Sequence, residues 1–354
     1  MKDFFAHARF KVPAAGARNA LSSLWRGLFA AAGRYVPLSG AESSCEPGDA
    51  VAFHGDIPVK AGAHHHQRRL LFVEPRPLVE EVNELVFTPN GASWVDGRLY
   101  ERYSACRPGL RMLAGPVKPA RELAEAYILQ AEHSETFGDW FSEYLAPLAR
   151  IDNIRAPVLL PKDLGTRAYV KRDAARFDIE FQFAEEPVLV HKAFVARQRR
   201  VIRYWREEDV HSLRRLLKAS PPTPRPGSVL YLSRHGEVSE IAERSYPSEA
   251  IEDLVKARGG RVLRTAKAAL EDYLTAAHDA ETILYDHGSA AYNMVYWNPR
   301  RAIEFVSDDW WVNAFLFFAD SIGVKDYTII CSDRGDVNDV LKRVECALDR
   351  PLGG

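Results

Sequence analysis

The chain of 354 residues is long enough for two domains of ordinary size, and its 47% hydrophobic and 27% charged residues are typical of a globular protein. This composition excludes the disordered and fibrous classes of protein. The formal net charge of −1 argues against a protein that binds nucleic acid or anionic surfaces through its overall charge.

Cysteine usage and the lack of targeting signals predict a cytoplasmic protein. The four cysteines are widely separated and have no Cys-x-x-Cys spacing, so we expect them to be reduced and structural: Cys45, Cys106, Cys331 and Cys346. The sequence has no run of about 20 apolar residues, no signal-peptide core and no Asn-x-Ser/Thr acceptor for glycosylation.

The first predicted element is an amphipathic helix over residues 18–35. Its apolar side is formed by Leu21, Leu24, Trp25, Leu28 and Phe29, and arginines lie among the other positions. Such a helix usually packs on the protein's own core. Peripheral contact with the inner membrane is the second interpretation, because basic amphipathic helices also lie on anionic membrane surfaces.

Residues 50–105 are rich in turn signals. Asn90-Gly91 and Asp96-Gly97 separate short apolar runs, a pattern that predicts β-hairpins. In the same region, His64-His65-His66 is the sequence's one metal-like cluster. Adjacent side chains of an extended chain point to opposite sides, so a solvated loop is the better interpretation of this tract. We therefore predict no metal site.

Beyond residue 126 the pattern changes to alternating strands and helices, which predicts parallel sheets with helices on their faces. The strands of the first half are predicted at 127–129, 158–160 and 188–190, and its helices at 140–151 and 209–217. The run from Arg197 to Arg206 mixes basic and aromatic residues. A solvated face is the usual form of such a run, and a nucleic-acid contact is the alternative that we do not favour.

A proline-rich stretch over residues 219–227 interrupts this alternation and predicts a stiff linker. Strands are then predicted at 229–232, 262–263, 283–285, 303–306 and 328–330, with helices at 248–257, 268–277, 311–322 and 337–348 and a further helix after Gly288. The predicted domains are a hairpin-rich N-terminal extension (1–120), a first Rossmann-like domain (121–218), the linker (219–227) and a second Rossmann-like domain (228–354).

The most informative segment is the predicted strand, glycine turn and helix from Tyr285 to Met294. A helix that begins at Ser289 presents free N–H groups and the positive end of its dipole, which suits an anion such as a pyrophosphate. An ordinary strand-to-helix turn without a ligand is the alternative that this segment leaves open.

This segment resembles the signature of glycosyltransferase family 61, which reads His-Gly-Ala-Gly-Leu-Thr-Asn-Met, then Pro-Gly, then Glu. The matching residues are His287-Gly288-Ser289-Ala290-Ala291-Tyr292-Asn293-Met294, Asn298-Pro299 and Ile303-Glu304. Upstream, Leu230-Tyr231-Leu232-Ser233-Arg234 resembles the family's strand that ends in Ser-Arg. The family's Asn-Tyr-x-His-Trp-Leu…Leu-Pro-Arg element resembles Phe137-Gly138-Asp139-Trp140-Phe141 with Leu145-Ala146-Pro147-Leu148.

The resemblance implies an α/β protein of the GT-B type, with two Rossmann-like domains facing each other across a cleft. It implies an inverting glycosyltransferase, of the bacterial kind that serves polysaccharide or capsule biosynthesis. Such an enzyme moves a sugar from a nucleotide donor, most commonly a UDP-sugar, to a glycan or glycolipid acceptor. Its partners are then these two substrates, without nucleic acid and without a further cofactor. A nucleotide- or glycan-binding scaffold with this fold and no turnover is the alternative.

The donor site is predicted at strand ends of the second domain, because ligands of open α/β sheets lie above the carboxyl ends of the strands. The predicted binding residues are Ser233, Arg234, His287, Gly288, Ser289, Asn293 and Glu304. Arg234 and the helix start at Ser289 offer positive potential to a diphosphate. Glu304 is the expected acceptor of hydrogen bonds from ribose hydroxyls, and a buried structural carboxylate is the alternative. For Arg234 the alternative is a surface ion pair.

Asp139 is the predicted catalytic base, since it stands at the family's His position in a loop at the cleft edge and a carboxylate can act as a general base. The other interpretation of Asp139 is a helix N-cap. His133 and Glu135 in the same loop are the alternative bases. Arg234 and a helix dipole can neutralise a departing diphosphate, and the sequence has no Asp-x-Asp triplet, so we expect a metal-independent reaction.

Overall fold

The computed structural model describes residues 41–45, 52–55, 70–74, 79–100, 118–129, 136–196, 205–236, 246–308 and 311–352. At 41–45, at 70–74 and at Leu99 the description covers the backbone alone. The predicted helix over 18–35, the histidine tract at 64–66, the loop 131–135 with His133 and Glu135, and residues 197–204 of the basic run lie outside the described residues.

Strands and helices alternate along most of the described chain. The strands are β1 (Ala41–Cys45), β2 (Ala52–His54), β3 (Leu70–Glu74), β4 (Val79–Phe87), β5 (Ser93–Val95), β6 (Arg98–Leu99), β7 (Arg121–Leu129), β8 (Val158–Pro161), β9 (Phe181–Ala184), β10 (Val188–Ala196), β11 (Arg225–Ser233), β12 (Arg261–Arg264), β13 (Ala280–Asp286), β14 (Arg301–Val306) and β15 (Asp326–Cys331). The α-helices are α1 (Phe137–Asp139), α2 (Ala146–Ala149), α3 (Ala168–Ala174), α4 (Glu207–Leu216), α5 (Ser248–Ala257), α6 (Leu270–Ala276), α7 (Ala314–Ile322) and α8 (Val337–Asp349). The 3₁₀-helices are Lys162–Thr166, Thr265–Lys267 and Ser289–Tyr296, and Trp140–Leu145 is a π-helix.

Two large sheets organise the described residues, and a small antiparallel pair, β1 with β3, accompanies them. The first large sheet has the order β6-β5-β4-β10-β7-β8-β9. Its β10, β7, β8 and β9 are parallel, whereas β4, β5 and β6 form antiparallel pairs at the other edge. The second has the order β12-β11-β13-β14-β15-β2 and is parallel throughout. The α/β prediction is confirmed.

The predicted hairpins are confirmed where turn residues adopt the backbone that hairpins need. Asp96 and Gly97 join β5 to β6 with φ of 49° and 72°, the positive pair of a type I′ turn. Asn90 and Gly91 lie in the turn between β4 and β5, where Thr88 and Ala92 pair through the backbone. Because β4–β6 extend the first sheet and β2 extends the second, the predicted N-terminal extension adds strands to both sheets. The division into domains stays a prediction.

Strand β11 begins at Arg225, two residues before the predicted end of the linker. The β11–β13 register shifts between Arg225 and Val229, and Gly227 adopts a φ of 75°. The Gly227 N–H donates to the Glu281 carboxylate at 2.7 Å. This bulge at the start of the strand accommodates a proline that a regular central strand would exclude.

A shared aromatic core joins the two sheets. Phe141, from the π-helix of the first half, stacks on Tyr292 of the second half with ring centroids 4.8 Å apart. Trp205 and Phe318 pack against both rings. Across the same boundary, the Arg214 guanidinium donates to the carbonyl oxygens of Val295 and Trp297. In the part of the chain that the structure describes, no helix combines the length and apolarity that a membrane crossing requires.

Candidate functional site

The register of the second sheet brings the predicted donor residues to one edge. Leu232 pairs with Tyr285, and Tyr285 pairs with Glu304. The chain leaves β11 at Ser233 and β13 at Asp286, so the next residues, Arg234 and His287, emerge side by side at the carboxyl ends of neighbouring parallel strands. This edge is where open α/β sheets bind ligands.

Arg234 and Gly288 are in direct contact. The Arg234 guanidinium donates through Nη1 to the His287 carbonyl oxygen at 3.2 Å. A methyl group added at Gly288 would lie 3.1 Å from that Nη1, so the bare glycine leaves the space that the guanidinium occupies. Gly288 is extended, with φ of 163°, a conformation that any residue adopts. Glycine is therefore needed here for the space that it leaves to Arg234, and not for its backbone conformation.

Asp286 is a buried carboxylate that sequence reasoning did not select. It is 1% exposed and accepts three hydrogen bonds: from the Tyr231 hydroxyl at 2.7 Å, the Arg234 backbone N–H at 2.8 Å and the Ser248 hydroxyl at 2.8 Å. These bonds tie the turn that carries Arg234 to the start of α5. Burial raises the pKa of Asp286 to about 6, against the opposing effect of these donors. A charged residue between the apolar run Ile283-Leu284-Tyr285 and the His287-Gly288 turn was the available signal.

Asp286 gives the protein a testable pH dependence. Because its folded-state pKa lies above the ordinary value, its contribution to stability is full at low pH and is lost as the pH rises through about 6. The difference in free energy of unfolding between wild type and Asp286→Asn should therefore fall by about 2 kcal/mol from pH 4 to pH 7.5, at 1.36 kcal/mol per pKa unit, because the unfolded-state carboxyl is already partly ionised at pH 4. Urea denaturation of both proteins across this range measures the difference. A constant difference would contradict the assignment.

His287 and Glu304 form a buried pair. His287 Nδ1 lies 2.7 Å from Glu304 Oε1, and the imidazole packs edge-on against Phe315. The other carboxylate oxygen of Glu304 accepts from the Trp311 indole at 2.9 Å and from the Tyr327 hydroxyl at 2.7 Å. With these donors on Oε2, Glu304 orients the imidazole as the acceptor of its Nδ1–H. Among the described residues, Nε2 of His287 has no partner.

Glu304 is 0% exposed, and its two oxygens are taken by three protein donors. The structure thus gives it protein partners in place of the ribose hydroxyls that the sequence suggested. Burial and the Glu304 charge raise the pKa of Tyr327 well above its ordinary value, so the phenol stays protonated and donates. Glu304 acts on the site through His287, which directly follows the end of β13, whereas Glu304 lies within β14.

Ser233 and Asn293 also point into the protein. The Ser233 hydroxyl donates to the buried Glu252 carboxylate at 2.8 Å, and that carboxylate is held by the Arg264 guanidinium. The Asn293 amide donates to the Ala290 carbonyl oxygen at 3.0 Å. Hydrogen bonds from Arg264, Ser233 and Lys256 lower the pKa of Glu252 to about 2, even though burial opposes this shift. The Ser233 and Asn293 side chains therefore hold the local structure of the site and are bonded within the protein.

The predicted signature helix is a 3₁₀-helix, Ser289–Tyr296, in which the Ala291 N–H donates to the Gly288 carbonyl oxygen at 3.1 Å. Ser289, its first residue, is half-buried. Tyr292 packs between Phe141 and Phe318 at the boundary of the two sheets. We attribute the tighter helical form to this tertiary packing, because 3₁₀ turns are a local adjustment that packing readily imposes.

Asp139 is the third residue of α1 and forms a capping box with Thr136, which is the N-cap of this helix. The predicted N-cap role of Asp139 is therefore corrected. Oδ2 of Asp139 accepts from the Thr136 backbone N–H at 3.0 Å and from its hydroxyl at 2.8 Å, while the Asp139 N–H donates back to the hydroxyl. Oδ1 has no partner among the described residues, so one carboxylate oxygen is left for other chemistry.

The start of α1 lies against the start of the 3₁₀-helix of the second half. A methyl group added at Gly138 would lie 3.0 Å from Cβ of Ser289 and 3.7 Å from the Tyr292 ring. This close approach places Asp139, the neighbour of Gly138, near the start of the 3₁₀-helix that follows His287 and Gly288. About 150 residues of sequence separate Gly138 from Ser289.

A surface depression lies apart from this edge. It has a volume of about 210 Å³, is lined in part by Arg225, Gly227 and Arg261, and lies at the amino end of β11, the opposite edge of the sheet. Its arginines pair with Asp279, so it offers no free charge of that kind. Within the described ranges, no group of three or more His, Cys, Asp or Glu side chains is arranged to hold a metal ion.

Comparison with known proteins relates part of the chain to a family of enzymes. No curated protein matches the chain. Residues 137–303 match the family model described as Glycosyltransferase 61. The match begins at Phe137, at the start of α1, and ends in β14, one residue before Glu304, so it contains Asp139, Arg234 and His287. Over this stretch the chain is similar to glycosyltransferase family 61, and the similarity supports a glycosyltransferase.

Proposed function

We propose that this protein is an inverting glycosyltransferase of the GT-B type that takes its sugar from a nucleotide donor, a UDP-sugar. The observation that carries the proposal is a pair of close contacts: Arg234 lies against Gly288, and Gly138, the neighbour of Asp139, lies against Ser289 at the start of the next helix. In the proposed enzyme, positive groups then serve the donor and the Asp139 carboxylate serves the acceptor. An inverting sugar transfer requires these two opposed roles.

The donor diphosphate binds at the carboxyl edge of the second sheet. The Arg234 guanidinium provides forked, permanently charged donors, and the backbone N–H groups at Ser289 add further donors. Asp286 and Gly288 hold Arg234 in this position, the first through the backbone N–H and the second by leaving space. As the sugar leaves, negative charge grows on the diphosphate, and preorganised donors stabilise that charge most at the transition state.

Asp139 acts on the acceptor. Its Oδ1 takes the proton of the acceptor hydroxyl, the freed oxygen pair bonds to the anomeric carbon, and the bond from that carbon to the diphosphate oxygen breaks. The electron pair of the broken bond stays on UDP, and the configuration of the carbon inverts. Oδ2 stays in the capping box with Thr136, which fixes the orientation of the carboxylate during this step.

His287 recognises a hydroxyl of the donor. Glu304 accepts the Nδ1–H, so Nε2 is the ring atom that bonds a ribose or sugar hydroxyl. This role replaces the direct ribose contact that the sequence suggested for Glu304.

The setting that we propose is cytoplasmic polysaccharide assembly, including capsule, with a glycan or glycolipid as the acceptor.

Calorimetric titration with UDP tests the donor site. We expect UDP to bind, and we expect its affinity to be unchanged in EDTA, because Arg234 and N–H groups carry the recognition. A strict requirement for a divalent cation would overturn the metal-independent mechanism. Failure of UDP and of the other nucleoside diphosphates to bind at all would overturn the donor site.

A panel of nucleotide sugars, assayed for hydrolysis and for transfer to a broad set of glycan acceptors, separates an enzyme from a scaffold. Turnover with any donor supports the enzyme. Nucleotide binding, measured as a rise in melting temperature, without turnover for any donor and acceptor would favour the binding scaffold instead.

A further inference from the structure

Two buried hydrogen-bond donors at the start of α3 have no acceptor among the residues that the structure describes. They are Nε of Arg167 and the hydroxyl of Tyr169. In the part of the chain that the structure describes, the half-buried Arg167 guanidinium has neither an ion pair nor a side-chain hydrogen bond. Buried polar groups in native proteins are nearly always paired, so two neighbouring exceptions call for a functional reason.

Both donors lie at the ligand-binding edge of the first sheet. Strand β8 ends at Pro161, and the chain passes through the Lys162–Thr166 turn to Arg167, which precedes α3. Strand β8 is the parallel neighbour of β7, whose chain continues to α1 and Asp139. In sheets of this kind, the segments that follow neighbouring parallel strands meet at the carboxyl edge.

Aromatic and charge contacts connect Tyr169 to the candidate base. The rings of Phe137 and Tyr169 meet edge to face, with centroids 5.7 Å apart, and Phe137 begins the short helix that ends at Asp139. Burial raises the pKa of Tyr169, Arg167 lowers it, and the Asp139 charge raises it. Each of these charges is therefore close enough to act on the phenol, which stays protonated as a donor at neutral pH.

The chemistry of the pair selects an anion. Arginine can only donate hydrogen bonds, and its planar fork matches carboxylate and phosphate oxygens. A neutral hydroxyl would satisfy one donor but would leave the guanidinium charge without a counter-ion. We propose that Arg167 and Tyr169 form a subsite that binds the anionic group of an acidic acceptor sugar, a carboxylate or a phosphate, an assignment that rests on the proposed function.

The test uses the full-length chain and three small probes: methyl β-D-glucuronide, glucose 1-phosphate and the neutral methyl β-D-glucoside. Their dissociation constants are measured by ligand-observed NMR, with and without saturating UDP. Wild type should bind at least one anionic probe about tenfold or more tightly than the neutral glycoside, the typical value of a charge-assisted hydrogen bond. The glucuronide arm reports a carboxylate ligand, and the glucose 1-phosphate arm reports a phosphate ligand.

Arg167→Ala should abolish this preference for an anion. Lys171→Ala is the matched control, because it removes one positive charge from the exposed side of the following helix, α3, and should keep the preference. An equal preference in Arg167→Ala, or none in wild type, would overturn the subsite. A loss of UDP affinity in Arg167→Ala as large as the loss of anion affinity would also overturn it, since Arg167 would then belong to the donor pocket.

Tyr169→Phe checks the result without loss of charge. The substitution should weaken binding of the anionic probe several-fold. It should leave the melting temperature of the free protein unchanged or higher, because it removes a buried hydroxyl that has no partner among the described residues. A lower melting temperature with full anion affinity would assign the hydroxyl to the fold and contradict the subsite. If wild type fails to bind UDP, the proposed function fails, whereas an Arg167-dependent anion preference still supports the subsite.

Discussion

Asp139→Asn is expected to lower turnover by about 100-fold or more, with nucleotide affinity and melting temperature close to wild type. The amide keeps the size of the carboxylate, and its oxygen can still accept both Thr136 hydrogen bonds of the capping box. Only the basicity is lost. Initial rates with a competent donor and acceptor, beside calorimetry with UDP, measure the two quantities separately.

The capping box at the start of α8 supplies a matched control. Asp339 occupies the third position of α8, with Asp336 as the N-cap, and lies on the exposed surface. Asp339→Asn should therefore leave turnover unchanged. Asp139→Ala, which removes the box as well as the base, should cost about 1 kcal/mol of stability. Full activity of Asp139→Asn would move the search for the base to His133 or Glu135.

Arg234→Ala should weaken binding of a nucleoside diphosphate by about 1.5 to 3 kcal/mol, the usual contribution of a hydrogen bond to a charged group. The loss arises because a permanent positive charge is removed from the edge where the phosphates bind. Stability should change little, since the backbone N–H that donates to Asp286 is retained. Calorimetric titration with UDP measures the affinity, and circular dichroism confirms that the variant is folded.

Arg258→Ala is the control for Arg234→Ala. Arg258 forms a surface ion pair with Asp349 at the far end of α5, so its removal also deletes one positive charge from the second half. The UDP affinity of the Arg258→Ala variant should equal that of wild type. Unchanged affinity in Arg234→Ala, in a folded protein, would remove Arg234 from the donor site.

Local signals in the sequence were sufficient for most elements. The predicted helix over 248–257 coincides with α5, and the predicted strand over 303–306 lies within β14. Runs of apolar residues mark strands that are buried on both faces, and turn pairs such as Asp96-Gly97 mark hairpins. These signals act over a few residues, and a reading of the sequence can therefore detect them.

The roles of the site residues needed the tertiary structure. Sequence motifs identify His287, Arg234 and Asp139 as site residues. A motif does not show which carboxylate oxygens already accept hydrogen bonds within the protein. The structure seals Glu304 among Trp311 and Tyr327, and it adds Asp286 as the residue that holds Arg234.

Hydrophobic periodicity and turn chemistry are short-range signals, and the α/β class, the order of most strands and helices and the sheet edge of the predicted donor residues follow from them. Long-range contacts explain why β2 pairs with β15 and why β4 makes one edge of the first sheet antiparallel. They also explain why Nε of Arg167 and the Tyr169 hydroxyl have no acceptor in the part of the chain that the structure describes. These features depend on contacts between residues far apart in the chain, where burial and hydrogen bonding override local preference.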